Sequence, residues 1–119
     1  MDQAEFATPF GLRLSHDRVG AVRVVRAAGE VDAATAEMLH EAAMLGGGEE
    51  PTTLVLDLSE VTFLDSAGLT VLVRVERKQR AQGGSLAVVT RNRAVLRVLE
   101  ITGLDRSLTI LSTVDEALN

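Results

Sequence analysis

From Thr53 to Leu58 every position except Asp57 is apolar or β-branched. A strand of that composition cannot turn one side to water, so it belongs inside a sheet covered on both faces. The next thirty residues narrow the choice of fold. Ser59 to Thr62 reads as a short polar interruption. Helical spacing then begins with Leu69, Leu72 and Val73 on one side, flanked by Val71 and Val75, and Gly83-Gly84 stops it. Arg74, Arg77, Lys78 and Arg80 load the end of that helix with cations, which suits the negative end of its dipole. Ser85 to Val89 is a second buried-type strand, and Arg91 to Ile101 a helix facing inward through Val95, Val98, Leu99 and Thr102. Gly103 stands where a left-handed C-terminal cap belongs. Leu108 to Leu111 is a last short strand, with Val114 to Leu118 a final turn or two of helix. Strands alternating with helices imply parallel pairing and right-handed crossovers.

The first fifty residues read differently. Leu12 to His16 is partly alternating, as an edge strand would be, and Asp17 to Gly20 supplies turn residues. Ala21 to Ala28 alternates around Val22 and Val24 against Arg23 and Arg26, and Gly29 closes it, so the two runs form a hairpin. Asp32 occupies the N-cap position ahead of a helix over 33–45, with Met38, Ala42 and Leu45 as its apolar face. Gly46 to Pro51 is a connector. The element order is β-β-α-β-α-β-α-β-α. It predicts an α/β fold: one domain over residues 1–119, with a mixed, largely parallel sheet and helices mainly on one face. The N-terminal β-hairpin extends an edge, the core spans about residues 10–118, and residues 1–9 form a flexible tail. At 119 residues one domain is the expectation.

Composition removes several kinds of function. There are 12 basic and 17 acidic residues, and 12 − 17 gives a net charge of −5. An acidic chain lacks the basic footprint of a nucleic-acid binder, so no direct DNA binding is expected. Three Phe and no Trp or Tyr leave no aromatic platform for single strands. No Cys means no disulfides and no thiolate metal site, which fits a reducing, cytoplasmic setting. No apolar run approaches the ~18 residues of a spanning helix, so membrane insertion is not expected. Residues 1–60 hold four Arg against eleven acids, and residues 61–119 eight bases against six. That asymmetry suits either a polar protein-binding surface or ordinary solvation.

Enzymatic readings find little to stand on. His16 and His40 are the only imidazoles, one in a strand and one on the polar side of a helix. Leu64 stands where the nucleophile elbow requires Gly, which argues against a serine hydrolase. No pair of histidines has metal-ligand spacing, and the carboxylates do not form a calcium loop. The Gly46–Gly48 triplet lacks the Lys-Ser/Thr pair of a phosphate cradle and is followed by Glu49 and Glu50. A receiver domain phosphorylated on Asp57 would need an acidic pair after the first strand and a Lys after the last, and the sole Lys is Lys78.

Ser66, in Phe63-Leu64-Asp65-Ser66-Ala67-Gly68-Leu69, opens a helix just beyond a strand. It reads either as a plain N-cap or as a phosphoacceptor. A phosphoryl group there would meet the free N–H groups of the first turn and leave the fold standing. Its charge of about −1.5 to −2 beside Asp65 would spoil docking of an acidic or apolar partner patch.

Gly29-Glu30-Val31-Asp32 with the alanines and Thr35 after it, Leu56-Asp57-Leu58, the Phe63–Leu69 segment and Ala94–Leu104 occur in that order along the chain. Together they resemble the STAS domain family and, within it, the bacterial anti-sigma factor antagonists, over roughly residues 10–118. The resemblance implies a binding protein that is not an enzyme. It implies phosphorylation of Ser66 by an anti-sigma factor that is a serine kinase using ATP, so this chain itself needs no cofactor. It places Asp32 beside that serine and puts Glu30, Thr35, Asp65, Ala67, Gly68 and Leu69 on the partner-binding surface, Gly68 allowing close approach of a partner backbone. Unphosphorylated, such an antagonist holds the anti-sigma factor and frees the sigma factor. Phosphorylation releases the anti-sigma factor, and a serine phosphatase restores binding. Many members carry Ser or Thr after the acceptor; Ala67 here leaves one hydroxyl. The alternative is a STAS scaffold that binds its partners constitutively.

Overall fold

The long apolar strand lies where its composition demands, with a strand on each side and helices above and below. In the computed structural model, residues 11–45 and 52–118 are described in full and residues 3–7 as backbone. Six strands form one sheet in sequence order: β1 (Gln3–Ala7), β2 (Arg13–Val19), β3 (Val22–Val31), β4 (Thr53–Leu64), β5 (Ser85–Val89) and β6 (Thr109–Leu111). β1, β2 and β3 pair antiparallel, and β3 through β6 pair parallel. Gln3–Ala7 lies in the stretch expected to be a tail, yet it pairs with β2 from Gln3↔Asp17 to Ala7↔Arg13. β2 is therefore an interior strand, and β1 takes the edge. The β2–β3 turn is also tighter than the sequence reading. Asp17–Val19 belong to the strand, and Gly20-Ala21 alone connect Val19 to Val22. Gly20 has φ +61, the conformation that the first position of a two-residue II′ hairpin turn requires.

Helices α1 (Ala36–Met44), α2 (Ser66–Ala81) and α3 (Arg93–Ile101) each link one parallel strand to the next. Three crossovers stepping the same way across a sheet put their helices on the same face. Leu39, Val71, Leu72, Val75, Val95 and Leu99 accordingly share one core with Leu54, Leu56 and Leu58 of β4 and Leu14 and Val25 of the hairpin. Burying one such side chain is worth about 1.5–3 kcal/mol. The second face is covered in part by the short α4 (Val114–Leu118), which packs Val114 and Ala117 against Val24, Val55 and Val89. β4 needs apolar residues on both faces because both are roofed.

Three details depart from the sequence expectations. β3 does not stop at Gly29 but runs to Val31. Gly29 sits at φ +123 with Gly11 O only 3.3 Å from where a Cβ would lie, so glycine is needed for passage rather than termination. α1 starts at Ala36, and its buried residues are Ala36, Leu39, Ala42 and Ala43, while Leu45 is exposed. Arg23, which strand alternation assigns to a polar face, points into the helical layer and is 1% exposed. Its Nη1 and Nη2 donate to the carbonyls of Leu45 and Ala43 at the end of α1. Burial, and secondarily the charge of Arg18, lowers its pKa. The 46–51 connector lies outside the described residues.

Candidate functional site

The polar interruption at 59–62 is not a break in β4. Arg26 and Ala28 of β3 pair with Asp57 and Glu60, so two residues there face a step of three on β4. Gly29 and Glu30 pair with Val61 and Phe63, and β4 gains a second extra residue. Each insertion resets the period-2 alternation, so the buried series continues as Leu58, Val61 and Leu64. The same resets turn Thr62 and Phe63 out to solvent, Phe63 at 48% exposure. Ser59 is tied down locally, its N–H and hydroxyl both donating to Asp57 Oδ1.

β3 and β4 end in register, Glu30 beside Phe63 and Val31 beside Leu64, and the Asp65 N–H donates to Val31 O at 3.1 Å. Two acidic turns therefore leave the sheet side by side. In the first, Asp32 Oδ1 accepts from the N–H groups of Ala34 (2.9 Å) and Thr35 (3.2 Å). The Thr35 hydroxyl donates to Glu30 O at 2.9 Å and accepts from the Asp32 N–H at 3.0 Å. Asp32 thus stabilises a turn ahead of α1. The helix's own N-cap is Thr35, which makes no side-chain cap bond to α1. In the second turn, Asp65 has extended backbone (φ −98, ψ −168), and its Oδ1 accepts from Ala67 N–H at 2.9 Å and Gly68 N–H at 3.2 Å.

Asp65, not Ser66, is therefore the N-cap of α2. Ser66 is the first helical residue and is exposed. Its carbonyl accepts from the Thr70 hydroxyl, while its own hydroxyl has no hydrogen bond among the described residues. The arrangement frees that oxygen for an outside reagent. It also corrects the expected anchoring of a phosphoryl group, since the Ala67 and Gly68 N–H groups already serve Asp65.

The remaining expected surface residues divide by exposure. Glu30 and Ser66 are exposed, and Asp32, Asp65, Ala67 and Leu69 are half-buried, the last two leaning on the core. Thr35 (2% exposed) and Gly68 are buried, so neither offers a contact surface. A Cβ on Gly68 would lie 2.3 Å from Leu64 Cδ1 and 3.0 Å from Val31 Cγ1. Glycine there lets α2 press onto β3 and β4; it does not serve the approach of a partner's backbone. Phe63 is the surface residue that sequence reasoning missed. Its one signal was the clash between its position and the strand alternation through Leu58.

Among the described residues no cluster of three or more His, Asp or Glu could hold a metal ion, and no helix is long and apolar enough to cross a membrane.

A mixed sheet with its three crossover helices on one face, and a capped serine-bearing helix starting beside an acidic turn, defines the class. The model of the STAS domain matches residues 14–117, and the chain belongs to the STAS domain family. It groups there with the anti-sigma factor antagonists. The solved structure of an anti-sigma factor antagonist from Mycobacterium paratuberculosis superposes with a TM-score of 0.83 at 34% identity, covering 95% of this chain and 96% of that one. The anti-sigma-F factor antagonist RsfB of Mycobacterium tuberculosis is 38% identical over 97 residues, 82% of this chain and 79% of the relative. The anti-sigma-B factor antagonist of Bacillus subtilis is 35% identical over 80 residues, 67% of this chain and 72% of the relative.

Proposed function

We propose that this protein is an anti-sigma factor antagonist whose binding to an anti-sigma factor is switched off by phosphorylation of Ser66. The observation that carries the reading is the division of labour at the start of α2. Asp65 caps the helix, so the Ser66 hydroxyl stands exposed and unengaged. The names of the similar proteins support an anti-sigma factor as the partner.

In this reading the unmodified face, with Phe63 and Leu69 as apolar anchors and Glu30, Asp32 and Asp65 around them, docks on an anti-sigma factor that is itself a serine kinase. The partner supplies and binds the ATP; this chain binds, needs no cofactor and catalyses nothing. Phosphorylation adds about −1.5 to −2 charges at Ser66, next to the Asp65 carboxylate. With the Ala67 and Gly68 N–H groups already serving Asp65, that charge faces the partner. Apposed like charges or a buried phosphate cost several kcal/mol, and a loss of about 3 kcal/mol weakens binding roughly a hundredfold. The fold does not have to change. A serine phosphatase resets the switch, and the cycle runs in the cytoplasm, where sigma factors work.

Incubating the protein with ATP and a cognate anti-sigma kinase tests this. The intact mass should rise by one phosphate in the wild type and stay fixed in Ser66→Ala. Binding of Ser66→Asp to the same kinase should fall steeply. Equal binding of Ser66→Asp and wild type would mean a constitutive scaffold.

A further inference from the structure

A pocket of about 420 Å³ opens between the end of α1 and the C-terminal half of α2, far along α2 from Ser66. Arg23, His40, Arg74, Lys78, Gln79 and Gln82 line it, and among the described residues none of its lining carries a carboxylate. That is unexpected in a chain of net charge −5. Arg23 lies beneath it, 1% exposed, bonded to two backbone carbonyls and paired with no acid among the described residues. Its Nε is shielded from solvent and has no partner among the described residues. Lys78 forms no ion pair among the described residues. Arg74 and His40 share one carboxylate outside the pocket, Glu37, at 3.3 and 3.6 Å. Both N–H groups of the Gln79 amide are occupied by Thr52 O and Ser85 O, which holds that wall still.

Three cations on one concave surface, one of them immobile and buried, match a doubly charged oxyanion. Arg presents a fork to two of its oxygens, and Lys adds a point charge. The volume exceeds a bare ion and falls in the range of about 300–1,000 Å³ common for small-molecule sites. We propose that this pocket binds a small phosphorylated metabolite, its phosphoryl group held between Arg74 and Lys78 above Arg23. The site is separate from the Ser66 face and does not depend on the reading of that face.

Calorimetric titration of the full chain with ribose 5-phosphate and with inorganic phosphate, at matched ionic strength in chloride, tests it. Ribose 5-phosphate should bind saturably, tighter than inorganic phosphate, and shift the backbone amide resonances of Arg74, Lys78 and Gln82. Lys78→Ala and Arg74→Ala should each weaken it about tenfold, as loss of one charge-assisted contact does. Glu37→Gln, which removes the carboxylate competing for Arg74, should tighten it. All three substitutions lie on exposed side chains, so the variants should keep the wild-type fold. No saturable heat, equal affinity for both phosphates, or affinity unmoved in Lys78→Ala and Arg74→Ala would overturn the proposal.

Discussion

The carboxylate of Asp65 does two things at once: it ends β4's path into α2, and it leaves Ser66 unoccupied. These roles are separable. Asp65→Ala removes two N-terminal hydrogen bonds and should cost about 0.5–2 kcal/mol in urea denaturation, whereas Asp65→Asn, which can still accept them, should cost much less. If Asp65→Asn nonetheless loses partner affinity, the charge itself is read at the interface. Gly68 makes an independent prediction. With Leu64 and Val31 already buried, Gly68→Ala must push side chains off their rotamers, at about 1–3 kcal/mol of stability by the same measurement. Gln79 is a third case, a buried amide on α2 whose nitrogen donates to Thr52 O at 2.9 Å and Ser85 O at 2.8 Å, tying the starts of β4 and β5 to the helix. Gln79→Leu strips those donors and should destabilise by about 1–3 kcal/mol.

At the scale of elements, the alternation of apolar strands and amphipathic helices after residue 50 is enough to predict parallel pairing, and β4, β5 and β6 pair in that way. Features that depend on a neighbour escape such a reading. β1 has no strong apolar pattern and becomes a strand because β2 offers an unpaired edge. Arg23 sits in an alternating run whose inner face its valines would claim; the end of α1 makes an arginine acceptable there by presenting two carbonyls. The bulges of β4 hide the burial of Val61, because a period-2 reading through Leu58 assigns it to the opposite face. α4 is the least anchored helix and still covers a definite patch. Val114→Asp should expose Val24, Val55 and Val89, raising binding of an apolar dye and lowering thermal stability while leaving the Ser66 end intact.

For the molecule as a whole, the proposed switch implies that stability and affinity respond separately to charge at Ser66. An acid at the first position of α2 faces the positive end of the helix dipole, a favourable effect of about 0.3–1 kcal/mol. Ser66→Asp should therefore unfold at nearly the wild-type urea midpoint, while its affinity for the anti-sigma factor drops by roughly two orders of magnitude. A variant that lost both together would point to damage of the fold rather than to electrostatic exclusion. The two ends of α2 also differ in kind. Its start lies among Glu30, Asp32 and Asp65, and its later turns carry Arg74, Arg77, Lys78 and Arg80, so partners of opposite charge would meet different ends.

The order of elements, the covered central strand and the serine poised at a helix start were legible in the chain, because each rests on local periodicity and on side-chain chemistry within a few residues. Which groups are engaged was decided only by the tertiary structure. Whether Asp65 or Ser66 caps α2 depends on the angle at which β4 delivers the chain, and that angle is set by pairing with β3 thirty-odd residues earlier. The burial of Thr35 and Gly68, the exposure of Phe63 and the gathering of Arg23 with Arg74 and Lys78 have the same origin. They depend on surfaces brought together across the fold, and no window along the sequence contains both sides of such a contact.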